Sequence, residues 1–411
     1  MRILIMTDSL LLPTGQGRVG REIALGLRDR GHEIGYLGLF HHGDIRPVPP
    51  AGIRFWYTNN NHHGQDALDG VVQKFQPDVL LTIGDFWNLW YIADAGICKT
   101  RRTFQWCSYI PVDGEPINGG LPPGIVKTVE DIDIPVAYTH YAKNAVMKSC
   151  KDEETLNRLE VIYHGVDTNV FKPAQHAERM TMRGRFGLEE KFVFLCVCRN
   201  QSRKNIPELL RAWKIFSELE ETKGKVILWP HMVFNDPMGW RVDDLLEVLK
   251  LRNNSIMYYH QVAHSQSELL LIPDEELAKL YQISDAFVLM SGEGFGLPTF
   301  EAMATRLPCV LLDYAASSEL GADGRAEFVS PAGTMTWTGG HLTQRPIPDV
   351  DRIVQAMLKI YRDANHRNKI ADAGYEFATK YTWKRVVDEW HNLFLRHENP
   401  HMSEKKLEVV A

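Results

Sequence analysis

Residues 285–313 restrict the possible folds of this chain more than any other stretch. They read Asp-Ala-Phe-Val-Leu-Met-Ser-Gly-Glu-Gly-Phe-Gly-Leu-Pro-Thr-Phe-Glu-Ala-Met-Ala and run on to Leu-Leu-Asp. Ala286 to Met290 is a short apolar run, right for a buried parallel strand and too short for a helix. Gly292, Gly294 and Gly296 then punctuate the chain. Thr299 to Thr305 reads as helix, and Pro308 to Leu312 as a second buried strand. Glu293 and Glu301 bracket this loop with seven residues between them. In a doubly wound sheet, ligands bind beyond the carboxyl ends of the strands, which is where such a loop lies. Its glycines let backbone N–H groups approach a phosphate, with a helix N-terminus behind them.

A chain of 411 residues is too long for one ordinary core, so two domains are expected. The pattern supports this because it starts twice. Arg2–Met6 is a strand, Thr7–Gly17 a glycine loop, and Val19, Ile23 and Leu27 recur at helical spacing before Gly31. Glu33–Leu39 is the next strand. Pro77–Gly84, Thr103–Pro111, Pro135–Thr139 and Leu159–Tyr163 complete a first sheet. Residues 173–190 are charged and carry Gly184 and Gly187, so they read as a linker. Then Phe192–Cys198 is a strand, Arg199–Asn205 a polar loop, Ile206–Leu219 a helix and Lys225–Trp229 a strand. Asp274 reads as an N-cap, with Glu275 and Glu276 complementing the helix dipole. From Val329 to Pro348 a Gly-, Thr- and Pro-rich loop is expected. Helices follow at Ile353–Tyr361, Ile370–Tyr381 and Trp383–Arg396. The expectation is therefore an α/β protein with a Rossmann-like domain at 1–172, a linker at 173–190 and a second Rossmann-like domain at 191–382. The helix at 383–397 is a candidate to pack back on the first domain, and the tail 398–411 is expected to be mobile.

The net charge of −6 argues against a nucleic-acid or anionic-membrane binder, which would carry a basic face. Only four apolar residues follow Arg2 before Thr7, too few for a signal-peptide core. No apolar run approaches a membrane span. The six cysteines form no CxxC and read as buried free thiols of a reducing cytosol.

Several motifs occur together in order: Glu293 to Glu301, Pro273 to Tyr281, Ser284 to Phe287, Ile162 to Pro173, and Arg30-Gly-His-Glu-Ile. With them the chain resembles, over nearly its whole length, the retaining glycosyltransferases of the GT-B fold, in particular glycosyltransferase family 4. That resemblance implies two Rossmann-like domains facing a central cleft. It implies transfer of a sugar from a nucleoside diphosphate (UDP-, GDP- or ADP-linked) to a carbohydrate or other hydroxyl acceptor. Retention of configuration follows from it too, as does the absence of a metal or other cofactor, since the nucleotide sugar is a substrate. Arg199 and Lys204 match the basic pair that holds the diphosphate. Charge-assisted bonds of this kind are worth roughly 1.5–3 kcal/mol each and suit a leaving group that gains negative charge. Glu301 matches the ribose-binding glutamate, and Glu293 the one near the transferred sugar. Gly294, Phe295, Gly296 and Leu297 are expected to offer backbone N–H groups, and Ile272 joins the expected donor contacts. Gly15 and Gly17 match a glycine loop facing the donor phosphate, although here Gln16 separates glycines that are commonly adjacent. At the acceptor side the family often has a histidine. This chain has Ser108-Tyr-Ile-Pro-Val-Asp113 instead, which makes Asp113 the candidate polar group.

Other signals carry less. Asp131/Asp133 and Asp349/Asp351 read D-x-D without a strand that aims both carboxylates at one ion. His41-His42 and His62-His63 lack ligand spacing. Trp87, Trp90 and Trp106 suit either an acceptor sugar or the core. The alternatives are a GT-B epimerase or phosphorylase, and a non-catalytic carbohydrate- or nucleotide-binding module. A dinucleotide oxidoreductase shares the glycine spacing at 15, 17 and 20 but lacks an acid after the second strand.

Overall fold

The computed structural model describes the chain except for Pro13 and residues 41–48, 59–62, 252–254, 258–271, 338–341 and 398–411. His41, His42, His62 and the tail 398–411 lie outside the described residues. The chain divides into two compact units, Met1–Gly165 with Trp383–Ala411, and Val166–Thr382. The division falls at Gly165, seven positions before the expected boundary.

The first unit is built on a seven-stranded sheet. Its strands are β1 (Arg2–Asp8), β2 (Glu33–Leu39), β3 (Ile53–Tyr57), β4 (Val79–Ile83), β5 (Gln105–Ile110), β6 (Ile134–Ala137) and β7 (Glu160–Val161). They lie in the order β3-β2-β1-β4-β5-β6-β7, and every pairing is parallel. A parallel sheet needs cover on both faces, which is why these strands are continuous apolar runs. The helices are α1 (Gly15–Asp29), α2 (Leu68–Phe75), α3 (Pro123–Glu130), α4 (His140–Ser149) and α5 (Glu153–Arg158). The last helix among the described residues, Trp383–Arg396, also belongs to this unit. It packs on α1, with Val387 against Gly26 and an ion pair from Arg30 to Asp388 at 2.5 Å.

The second unit has a five-stranded sheet in the order β12-β11-β10-β8-β9. Its strands are β8 (Phe192–Val197), β9 (Val226–His231), β10 (Ala286–Leu289), β11 (Cys309–Leu312) and β12 (Ala326–Val329), again all parallel. The helices are α6 (His176–Gly184), α7 (Ile206–Glu218), α8 (Val242–Val248), α9 (Asp274–Ile283), α10 (Leu297–Ala304), α11 (Ala316–Gly321), α12 (Val350–Arg362) and α13 (Ala364–Ala378). Trp383–Arg396 is therefore α14.

Three expectations change. Residues 173–190 are not a free linker, because α6 is built into the second unit. Arg179 and Arg183 pair with Asp285 at 2.6 and 3.0 Å, and Asp285 also accepts from Val193 N at 2.8 Å. The expected loop 329–348 contains an antiparallel ribbon of β13 (Pro331–Thr336) and β14 (Gln344–Pro348). The residue at the N-cap of α9 is Pro273, and Asp274 belongs to the first turn.

Candidate functional site

In the second unit the winding reverses between β8 and β10, since β9 lies on one side of β8 and β10 on the other. Loops leaving the carboxyl ends of strands at such a switch point diverge and leave a crevice. The β8 loop supplies Arg199, Arg203 and Lys204, and the β10 loop supplies Ser291 to Gly296. A short 3-10 turn, Ser202–Lys204, ends at Asn205 in the left-handed region (φ 51°), a conformation asparagine tolerates. Asn205 Nδ2 donates to Met290 O at 2.8 Å and so ties the two loops together.

The side chains meet there. Lys204 Nζ forms an ion pair with Glu293 Oε1, and the same oxygen accepts from Ser291 Oγ at 2.7 Å. Arg203 Nη1 stands 3.8 Å from Glu293 Oε2 and donates to Gly292 O at 3.4 Å. The Lys204 and Glu293 side chains are only 7% and 12% exposed. Burial is therefore the largest single influence on each member of the pair. It lowers the Lys204 ammonium pKa, helped by Arg203, while Glu293 pulls it back. Burial alone would raise the Glu293 carboxyl, but the Lys204 and Arg203 charges outweigh it and hold that group below the usual carboxylate range. Two cations, Lys204 and Arg203, thus face this carboxylate in a largely desolvated place.

The loop is fixed from both ends. Ala316 N donates to Glu293 O at 3.3 Å, and Ser317 Oγ donates to Ser291 O at 3.1 Å. Just before them Ala315 sits at φ 54°, ψ −138°, a conformation costly for a residue with a Cβ. Gly296, at φ 103°, makes the turn into α10, where Pro298 occupies the first helical turn. The helix thus starts two residues earlier than its sequence pattern indicates. Phe295 is buried edge-on against Phe300, with centroids 5.0 Å apart. Its side chain is an anchor for the loop, while Gly294 and Leu297 are half-buried on either side.

Glu301 lies buried on α10 and accepts from Tyr281 OH at 2.8 Å through Oε2. Ile272 is half-buried just before α9. Arg199 is not gathered into the cluster. Its guanidinium is 57% exposed and pairs with Asp236 at 2.9 Å. Arg203 takes the place beside Glu293 instead, and sequence reasoning passed over it. The available signal was its position immediately before Lys204 in the same turn.

In the first unit the switch point lies between β1 and β4. Thr14 Oγ1 donates to Asp8 Oδ2 at 2.5 Å and accepts from Gly17 N at 3.0 Å. The Gly17 amide is thus taken up by the cap of α1. A Cβ there would come within 2.7 Å of the Leu12 and Ser9 carbonyl oxygens, so Gly17 serves close packing. Gly15 is exposed, and the Gln16 side chain lies over Gly84. Asp113 is half-buried, three residues beyond the end of β5. Trp106 is core, with Nε1 donating to Thr82 Oγ1 at 3.0 Å, whereas Trp90 is 53% exposed. Asp133 accepts from Trp106 N and Asp349 caps α12, so both have structural partners. Among the described residues, no group of three or more His, Cys, Asp or Glu is placed to hold a metal ion.

Two doubly wound parallel units in one chain define the GT-B fold, and solved structures agree. Anabaena Alr3699/HepE in complex with UDP-glucose superposes with a TM-score of 0.71 at 17% identity, over 96% of this chain and 100% of that one. Sucrose-phosphate synthase from Thermosynechococcus elongatus does so at 0.71 and 16% identity, over 96% and 98%. Residues 178–377, just under half of the chain, match the family described as glycosyl transferases group 1. Mannosylfructose-phosphate synthase of Agrobacterium fabrum is 32% identical over 154 residues, 37% of this chain and 32% of that protein. O-antigen chain mannosyltransferase B of Escherichia coli is 26% identical over 225 residues, 54% of this chain and 50% of that protein. The matched regions thus span half or less of these two relatives' own lengths.

Proposed function

We propose that this chain is a retaining glycosyltransferase that moves a sugar from a nucleoside diphosphate to an acceptor hydroxyl without a metal or other cofactor. The observation that carries the reading is the Lys204–Glu293 pair with Arg203 at the β8/β10 switch point, beside a glycine loop that opens a helix. Cations gathered there suit a departing diphosphate, whose charge grows as the glycosidic bond breaks. Lys204 and Arg199 take the diphosphate, and Arg199 has to leave Asp236 to do so. Glu293 takes hydroxyls of the transferred sugar and Glu301 those of the ribose. Gly294, Phe295, Gly296 and Leu297 contribute backbone N–H groups, and Ile272 a donor contact. The first unit takes the acceptor, with Asp113 as its polar group and Gly15 at its glycine loop. The Anabaena complex with UDP-glucose and the mannosyltransferase names among the relatives support placing glucosyl and mannosyl donors first. All six cysteines are buried and unpaired, which supports a cytoplasmic location. Among the described residues, no helix is long and apolar enough to cross a membrane.

The test is to incubate purified protein with UDP-, GDP- and ADP-sugars, with and without acceptor sugars, and to follow nucleoside diphosphate and sugar together. Transfer is expected with one donor, and Lys204→Ala and Arg199→Ala are each expected to lower turnover by at least about tenfold. Release of free sugar alone, or no turnover with any donor, rejects the reading. Near wild-type activity in either variant rejects the diphosphate assignment.

A further inference from the structure

We propose that Arg203 is a positioning residue, holding Glu293 in place while Lys204 is drawn to the donor's diphosphate; the inference rests on the glycosyltransferase reading above. The guanidinium reaches two consecutive residues of the glycine loop, donating to Gly292 O at 3.4 Å and facing Glu293 Oε2 at 3.8 Å. The two oxygens of Glu293 are thereby divided. Oε1 has Lys204 and Ser291, and Oε2 has Arg203. A lysine ammonium is a point charge on a flexible stem, whereas a guanidinium is a planar fork that fixes direction.

A diphosphate carries more negative charge than a carboxylate and competes for the ammonium of Lys204. As that ammonium turns toward phosphate, Oε1 loses its charged partner and retains the Ser291 hydroxyl. Burial then acts against the charge of Glu293. Arg203 spans the backbone before Glu293 and the carboxylate itself, so it keeps that carboxylate ionised and aimed through the exchange. Arg199 is poorly placed to substitute, since its guanidinium is engaged with Asp236 on another loop.

The test uses the full chain with its best donor. If the wild-type protein turns over no donor, the glycosyltransferase reading has failed and with it this inference. With turnover established, Arg203→Ala is expected to lower kcat by about tenfold or more, while the donor KM moves less than about threefold. Arg203→Lys keeps the charge without the fork and is expected to fall between. Added guanidinium is expected to restore part of the kcat of Arg203→Ala. A rise in KM with kcat preserved overturns the proposal, because it marks direct donor contact. So does wild-type turnover in Arg203→Ala. If that variant does not fold, Arg203→Lys decides: reduced kcat at unchanged KM supports the role, and unchanged kcat overturns it.

Discussion

Lys204→Met tests the electrostatics of the site without any substrate. The substitution keeps most of the apolar stem and removes the ammonium. Glu293, with a side chain 12% exposed, then faces burial with Ser291 at 2.7 Å and Arg203 at 3.8 Å as partners. Breaking a buried pair by deleting one member costs about 3–5 kcal/mol, and the surviving contacts place this case near the lower end, at about 3 kcal/mol. For a unit spanning residues 166–382 that is a fall in Tm of roughly 6–12 °C. Lys204→Met/Glu293→Gln removes both charges and is expected to recover about 2 kcal/mol relative to additivity. The pH dependence has a definite sign. In the parent protein the carboxyl of Glu293 is held below its ordinary pKa, so its contribution is present above the unfolded value and is lost as pH falls through the folded one. In Lys204→Met burial dominates and raises that pKa, so acid relieves the variant and its deficit shrinks on acidification. Calorimetry of the second unit's transition at pH 7 and about pH 5 measures both effects. A deficit below about 1 kcal/mol, strict additivity in the double variant, or a deficit that grows in acid would refute the argument.

Transfer activity is expected to survive EDTA, and a collapse restored by Mn2+ would reject the metal-free mechanism. His164 is buried with Nδ1 2.8 Å from Tyr109 OH, and burial lowers its pKa to about 3. The unfolded chain therefore takes up a proton near the ordinary histidine value while the folded one does not, and stability falls with pH from there down to the folded pKa. At about 1.4 kcal/mol per pH unit, the loss between pH 6.5 and 5 is roughly 2 kcal/mol. Chemical denaturation of His164→Gln is expected to show that much less acid sensitivity, and an unchanged slope would discount the histidine.

The fold was legible because buried parallel strands and amphipathic helices leave different periods in the sequence, and the pattern begins twice. Lys204 and Glu293 were singled out through the resemblance to the family, and the structure brings them together. What escaped depends on direction and on distant partners. Arg199 and Arg203 are equivalent as symbols. Which of them faces Glu293 is decided by the 3-10 turn ending at Asn205, and which is drawn off by Asp236 is decided on another strand's loop. The helix α6 reads as charged linker because the partner of its arginines, Asp285, lies about a hundred residues away in sequence. The β13–β14 ribbon reads as loop because prolines at 331, 346 and 348 mask a strand pattern, although prolines suit the edges of a two-stranded pair. The strand β3 is a short edge strand, and its Ile-Arg-Phe-Trp-Tyr run alternates too little to stand out.

The return of α14 to the first unit bears on the order of synthesis. Trp390 sits edge-on to Tyr109, with centroids 4.9 Å apart, and Val387 and Asp388 meet α1 at Gly26 and Arg30. Residues 1–165 are translated before the second unit, yet the helix that covers this seam is translated after it. The second unit is continuous in sequence and has all of its parts by residue 382. Domains generally fold in the order they emerge, but here the unit begun before the other is finished after it. Its apolar seam on α1 stays uncovered while the second unit is being translated. A chain stopped before Trp383 would therefore keep an intact second unit and a crippled first one, so that a truncation beyond the second unit damages the first.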